Sequence, residues 1–182
     1  MKILLLVVFA LALASACNFS CFHSSCRISG GTGENCQCTT FHGRHHALCS
    51  ASGATSCEKT DGESGCSIQG NNAKCTLSPR SGGLSTWYIS DCQASNANRC
   101  TQKVFDYNCA VVGENVKCST DFVSYGWTTW IVPTCKADRA MQCSIKCGIS
   151  SCDRNCTRTG QRADCHCYAT PTGFLSAKCN CV

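Results

Sequence analysis

The cysteines of this chain recur at a fixed interval, and that interval constrains the fold more than any other feature. Four cysteines return 43 residues later, and Cys143 stands one further interval beyond the start of the second copy. The paired positions are Cys57/Cys100, Cys66/Cys109, Cys75/Cys118 and Cys92/Cys135. A constant period of this length indicates one structural unit repeated in tandem. We name the two copies B1 (57–99) and B2 (100–142).

The two copies also share residues between their cysteines. The shared pairs are Gly70/Gly113, Asn72/Asn115, Lys74/Lys117, Thr86/Thr129, Trp87/Trp130, Ala94/Ala137 and Ala97/Ala140. Aromatic and β-branched residues dominate 84–90 and 127–132, which predicts strands there. Glycine and asparagine at 113–115 predict a hairpin turn between two short valine-containing strands.

The repeats lie between two further units, an N-terminal unit (17–56) and a C-terminal unit (143–182). These hold six and eight cysteines, and an even count in every unit favours pairing within units. The two end units have similar spacings, but Cys156 and Cys181 lack counterparts in the N-terminal unit. Since partners tend to be lost together, we expect a Cys156–Cys181 bridge. The same alignment relates Cys152–Cys179 to Cys26–Cys49.

Residues 1–16 have the pattern of a secretory signal peptide: Lys2, an apolar run and small residues before the cleavage position. The 22 cysteines make up about 13% of the remaining chain, more than the roughly 8–10% that marks a disulfide scaffold. Such a composition is typical of oxidising, extracellular compartments. We therefore expect a secreted protein without a transmembrane segment, in which bridges replace much of the hydrophobic core.

A resemblance comes from the cysteine spacing Cys147-x4-Cys152-x3-Cys156-x8-Cys165 followed by Cys179-x-Cys181. With Arg158, Gly160 and Arg162 before Cys165, this pattern resembles the cysteine-stabilised αβ defensins of invertebrates. The resemblance covers about 36 residues and departs from the family in its extra cysteines, Cys143 and Cys167. It implies a helix bridged to a strand through Cys152–Cys179 and Cys156–Cys181, and an antimicrobial function.

The fold class predicted from these patterns is a tandem array of small disulfide-rich modules, mainly β with short helices. The C-terminal module would be of the cysteine-stabilised αβ type. Its short helix would span 150–157, because Cys152 and Cys156 would then share one helical face.

Charge is concentrated in the C-terminal unit. Each B unit sums to zero, whereas the C-terminal unit has a net charge of +3. Basic residues on a rigid surface attract anionic lipid, so we expect an anionic microbial membrane or cell-wall polymer as partner, and no nucleic acid. The expected surface-binding residues are Lys146, Arg154, Arg158, Arg162 and Lys178. Glutamate at Arg158 and Arg162 would abolish such binding.

Aromatic residues in the repeats allow two interpretations. Trp87, Tyr88, Trp127 and Trp130 would stack on a carbohydrate ligand if exposed, or form most of each small core if buried. We favour the core for Trp87 and Trp130, because small domains have few other large side chains.

The remaining residue patterns give weaker indications of function. The histidines of the HGRHH segment, 42–46, are expected in a solvated loop, and we expect no metal site and no cofactor. Asn18 and Asn155 are glycosylation acceptors by sequence. We find no catalytic motif and expect no enzyme. The alternatives are a protease or channel inhibitor with Pro79-Arg80 as its bait, a carbohydrate-binding module array, and a structural coat protein.

Overall fold

The computed structural model describes residues 15–82, 85–156 and 160–182. This part of the chain forms strands β1 (Ser15–Cys21), β2 (Ser24–Phe41), β3 (Arg44–Ser52), β4 (Ser56–Asp61), β5 (Ser64–Gly82), β6 (Ser85–Val104), β7 (Tyr107–Glu114), β8 (Lys117–Tyr125), β9 (Thr128–Ala137), β10 (Arg139–Cys147), β11 (Ser150–Asn155), β12 (Ala163–Ala169) and β13 (Leu175–Cys181). Within these ranges there is no helix, and so none that could cross a membrane. Residues 1–14 of the expected signal peptide lie outside the described residues.

The strands form two antiparallel sheets. The first has nine strands in the order β1-β2-β4-β5-β6-β7-β10-β11, with β3 paired to β2, and the second has the order β13-β12-β9-β8. Because the first sheet contains strands from all four sequence units, it joins the whole array.

Each unit consists of two hairpins joined by a corner. In B2, for example, β6 and β7 form the first hairpin, the chain turns at 115–116, and β8 and β9 form the second. Asn72 and Asn115 lie in equivalent corners with φ of 54° and 51°. Asparagine adopts this left-handed conformation more readily than most residues, which explains why both repeats have it.

The shared glycines and alanines also have a structural role in the corners. A side chain at Gly70 would meet Ala97 Cα at 2.7 Å, and one at Gly113 would meet Ala140 Cα at 2.8 Å. The chain connecting each repeat to the next unit therefore lies directly on the corner of that repeat.

All 22 cysteines are bridged, and each of the eleven bridges lies within one unit. In the N-terminal unit and in B1 the corner lies within a long strand, β2 or β5, and the parts before and after the corner are counted here as two strands. Counted in this way, every unit has one bridge from its first strand to its third and one from its second to its fourth. These are Cys17–Cys36 and Cys26–Cys49, Cys57–Cys75 and Cys66–Cys92, Cys100–Cys118 and Cys109–Cys135, and Cys143–Cys165 and Cys152–Cys179. The described array is thus four copies of one module, so the two end units are related to B1 and B2 as well as to each other.

The end modules carry the additional bridges. Cys21–Cys38 and Cys147–Cys167 occupy equivalent positions, and Cys156–Cys181 occurs in the C-terminal module alone. The bridges that the internal comparison favoured, Cys26–Cys49, Cys152–Cys179 and Cys156–Cys181, are among the eleven.

Bridges and small aliphatic residues alternate on the inner face of the first sheet. One row across successive strands reads Cys17, Ile28, Cys57, Ile68, Cys100, Val111, Cys143. The bridged Cα atoms are 5.5–6.5 Å apart, whereas facing sheets usually pack about 10 Å apart. The core is therefore thin, and bridged cysteines make up much of it.

Two predictions about local structure are wrong. Residues 150–155 form strand β11 instead of a helix, and pair with β10. Cysteines four residues apart share a face in a helix, but they also share a face in a strand, whose side chains alternate with a period of two. The turn at 113–115 is a corner between β7 and β8 rather than a hairpin, since β8 pairs with β9.

Candidate functional site

The described hairpin turns lie together at one end of the molecule, which we call the hairpin end. In each module the chain reverses at the corner, so both hairpins point back in the same direction. Neighbouring turns bond to one another: the Gly62 amide donates to His23 O at 3.0 Å and the Phe105 amide to Glu63 O at 2.8 Å. Tyr125 Oη, beside the β8–β9 turn, donates to Pro171 O at 2.6 Å in the β12–β13 loop.

Three large apolar side chains protrude from adjacent turns of the hairpin end. Trp127 and Ile149 are 106% and 104% exposed, and Phe174 is 70% exposed. The contact from Tyr125 to Pro171 brings the turn of Trp127 close to the loop of Phe174. Ser150, next to Ile149, lies within hydrogen-bond distance of Ser176, with their hydroxyls 3.3 Å apart. We call Trp127, Ile149 and Phe174 the tip cluster.

Two exposed lysines lie beside the tip cluster on the outer face of the first sheet. Asn108 on β7 pairs with Lys103 on β6 and with Lys146 on β10. The three side chains therefore form a row near the turns, with positive charge on both sides of Asn108.

The basic residues that the sequence singled out do not form one surface. Lys146 is on the outer face of the first sheet, and Lys178 is on the second sheet opposite His166. Arg162 precedes β12 at the corner end, where its amide donates to Val182 O at 2.6 Å. Arg158 lies outside the described residues.

Arg154 has a structural explanation. It pairs with Cys143 and continues the row in which the earlier modules place Ile28, Ile68 and Val111, all at most 2% exposed. In those modules the following module covers the aliphatic side chain. No described strand follows β11 in the first sheet, so Arg154 is exposed, and a polar residue suits that position.

The tryptophans differ in their surroundings. Trp87 is half-buried against a small cluster of Ile89, Val104 and Ile131, and Trp130 is half-buried against the main core. Both contribute to packing while keeping part of each ring accessible. Trp127 makes no such contribution.

A buried polar cluster joins the N-terminal module to B1. His46 Nδ1 lies 2.6 Å from Asp61 Oδ2, and Lys59 Nζ lies 3.6 Å from the same oxygen. The Lys59 ammonium also donates to Ala47 O at 2.6 Å. Burial lowers the pKa of Lys59, while the charge of Asp61 acts in the opposite direction.

His46 differs from the solvated loop residue that the sequence indicated. It lies on β3 and is 2% exposed, so the prediction of a solvated loop is wrong for it. Its Nε2 atom is buried without a hydrogen-bond partner among the described residues. Arg80 Nε, Gln102 Oε1 and Thr120 Oγ1 are buried without a partner in the same way, so it is the charged neighbours of His46 that set it apart.

A cleft of about 770 Å³ opens over this cluster at the hairpin end. Its size is within the range of small-molecule sites. Aromatic rings line it together with charged side chains: Phe22, Trp87, Tyr88, Phe105, Arg44, His45, Asp61 and Glu63. No single stretch of the sequence predicts the cleft, because its residues come from the N-terminal unit, from B1 and, through Phe105, from B2.

The remaining sequence predictions fall on the surface or on bridged cysteines. Asn18 and Asn155 are exposed on β1 and β11. Arg80 is not in a protruding loop: it lies on β5 opposite Trp87, with Nη2 3.5 Å from Asp91 Oδ2. In the described part of the chain, the groups of three close metal-ligand atoms are all bridged cysteines.

No protein family, curated protein or solved structure matches this chain. Any inference about the function of this chain therefore depends on its geometry alone. Two bridges of the C-terminal module join the cysteines that the defensin resemblance implies, and strand β11 stands where that resemblance implies a helix.

Proposed function

We propose that this protein is a secreted host-defence protein that binds anionic microbial membranes through its hairpin end. The tip cluster is the observation that carries this proposal. Three large apolar side chains on adjacent turns gain nothing for folding where they are. A surface of this kind is typical of a membrane or partner contact.

The chemistry of the tip cluster fits the boundary of a lipid bilayer. Tryptophan is enriched at membrane interfaces, where its ring contacts both headgroups and acyl chains. Removing a large apolar side chain from water completely is worth about 1.5–3 kcal/mol. Insertion of Trp127, Ile149 and Phe174 would therefore supply most of the binding free energy.

The bridged scaffold reduces the cost of binding. Cys147, which is bridged to Cys167, immediately precedes the turn that holds Ile149. The turn is fixed before it meets the membrane, so little conformational entropy is lost on insertion.

Charge explains the preference for anionic lipid. A basic residue near an anionic surface contributes about 1 kcal/mol, and Lys103 and Lys146 lie beside the tips. The chain carries a formal net charge of +5, which falls to +4 without Lys2 of the leader. Arg154 and Arg162, farther from the tips, would add long-range attraction that salt screens.

Cosedimentation with vesicles tests the proposal. The oxidised chain should bind vesicles containing phosphatidylglycerol and bind pure phosphatidylcholine weakly. Serine at Trp127, Ile149 and Phe174 together should lower the affinity about 100-fold or more, because each residue contributes more than about 1 kcal/mol. The matched control is Met141→Ser, since Met141 is 63% exposed but lies at the other end of β10.

Variants of Arg154 and Arg162 distinguish membrane contact through the tip cluster from electrostatic binding through these arginines. Glutamate at Arg154 and Arg162 should weaken binding at low salt and have little effect at physiological salt. If these two changes abolish binding while the tip variant binds normally, membrane contact through the hairpin end is wrong.

A further inference from the structure

The cleft between the N-terminal module and B1 is the second unusual feature of the hairpin end, and it is independent of the tip cluster. Its floor contains the charged or ionisable side chains His46, Lys59 and Asp61, whereas the equivalent floor at the next junction contains the uncharged residues Ile89, Gln102 and Val104.

Three residues that contact one another beneath the cleft each have an equivalent 43 residues later in the chain. His46 contacts Asp61 through the 2.6 Å interaction and Tyr88 through rings with centroids 5.9 Å apart. At the next junction the equivalent residues also contact one another, and they form an apolar cluster. The equivalent pairs are His46/Ile89, Asp61/Val104 and Tyr88/Ile131.

The polar version is therefore not required by the fold. Buried charges are costly unless they are paired, and apolar residues of similar volume often replace them with no loss of stability. Lys59 is also replaced by an uncharged residue at the next junction. Its equivalent there is Gln102, whose side-chain amide donates to Ser90 O at 2.8 Å. The N-terminal junction keeps a charged cluster where the next junction has an uncharged one.

The walls of the cleft supply aromatic faces. The Phe22 ring stacks on His45 with centroids 4.3 Å apart, and Phe22 is 78% exposed. Phe22 has φ of 55°, the turn conformation that Gly62, Phe105 and Gly148 adopt in the equivalent turns of the other modules. Trp87 and Tyr88 present partly accessible rings on the β6 side.

The charges of the cleft and its floor balance. Arg44 and Lys59 are basic, and Asp61 and Glu63 are acidic, so neither an anion nor a cation is favoured by excess charge. Aromatic faces combined with many donors and acceptors suit a neutral molecule that has both apolar faces and hydroxyl groups. We propose that this cleft binds a neutral saccharide, with a sugar ring against Phe22 and Trp87 and its hydroxyls bonded to the His46–Asp61 side.

Titration of the full oxidised chain with saccharides tests the proposal. The probes are neutral trisaccharides of glucose, mannose, galactose and N-acetylglucosamine, followed by calorimetry, with a sulfated and a sialylated trisaccharide for comparison. At least one neutral probe should bind at one site per chain.

Two variants locate the site. The combination His46→Ile, Lys59→Gln, Asp61→Val and Tyr88→Ile copies the next junction and leaves no buried charge, so it should remain folded and lose about tenfold or more in affinity. Phe22→Ser should also weaken binding and, being exposed, should not affect folding; Phe122→Ser, on β8 outside the cleft, is its control. If no neutral probe binds, if charged probes alone bind, or if the four-residue and Phe22 variants bind like the wild type, the proposal is wrong. Vesicle binding should be unchanged in the four-residue variant, whose substitutions lie beneath the cleft and leave the tip cluster intact.

Discussion

Alanine at Gly113 should lower the free energy of unfolding by on the order of 3 kcal/mol, the upper part of the usual range for overpacking. A Cβ atom there would overlap Arg139 O and would meet Ala140 Cα at 2.8 Å. Both are backbone atoms of the connection into the next module, so the strain cannot be relieved by a rotamer change. Denaturant unfolding of the oxidised protein measures the effect.

Gly65→Ala is the matched control for this prediction. Gly65 also lies in the first sheet, but a Cβ atom there would have Lys59 O, at 3.3 Å, as its nearest neighbour. Gly65→Ala should lower the free energy of unfolding by less than about 1 kcal/mol. Equal losses at Gly65 and Gly113 would mean that the corner does not lie against the next module as described.

Alanine at Asp61 alone should destabilise the protein by about 3 kcal/mol, because removing one member of a buried ion pair leaves the other charge unpaired. Lys59 is 1% exposed and would lose its carboxylate partner. His46 would lose its hydrogen bond as well. The change in the unfolding midpoint at constant pH measures this cost.

The companion variant replaces His46, Lys59 and Asp61 together by Ile, Gln and Val, the residues of the next junction. With no buried charge left, this variant should be at least as stable as the wild type. A loss as large as that of Asp61→Ala would show that the polar cluster is needed for folding, and would remove the reason to regard it as a binding site.

Much of the framework could be predicted from the cysteines. The 43-residue period and the comparison of the two end units led to modules with internal bridges, and specifically to a Cys156–Cys181 pair. That all four units are one module was missed, because Cys57 follows Cys17 by 40 residues rather than 43 and because the end units carry extra cysteines. Those extra bridges concealed the pair common to all modules.

The errors in local structure have a common cause. A four-residue cysteine spacing fits a helix and a strand equally well, and a turn-forming sequence fits a hairpin and a corner equally well. Pairing with β10 decides the first case and pairing of β8 with β9 decides the second. Both depend on partners distant in sequence, which local patterns do not reveal.

The candidate sites were harder to predict than the framework. Trp127, Ile149 and Phe174 are 47 residues apart at most in sequence and meet only because both hairpins of each module point to one end. His46 has the residue type of a surface loop and becomes buried only when β4 of the next module brings Lys59 and Asp61 against it. Sequence patterning described each residue separately and could not bring them together.

The emission of a single tryptophan tests membrane contact through the hairpin end most directly. With phenylalanine at Trp87 and Trp130, Trp127 is the one remaining tryptophan, and it starts fully exposed. On addition of vesicles containing phosphatidylglycerol, its emission should shift to shorter wavelength and become protected from acrylamide quenching. Bound protein whose Trp127 emission and quenching are unchanged would contradict insertion of the hairpin end into the membrane.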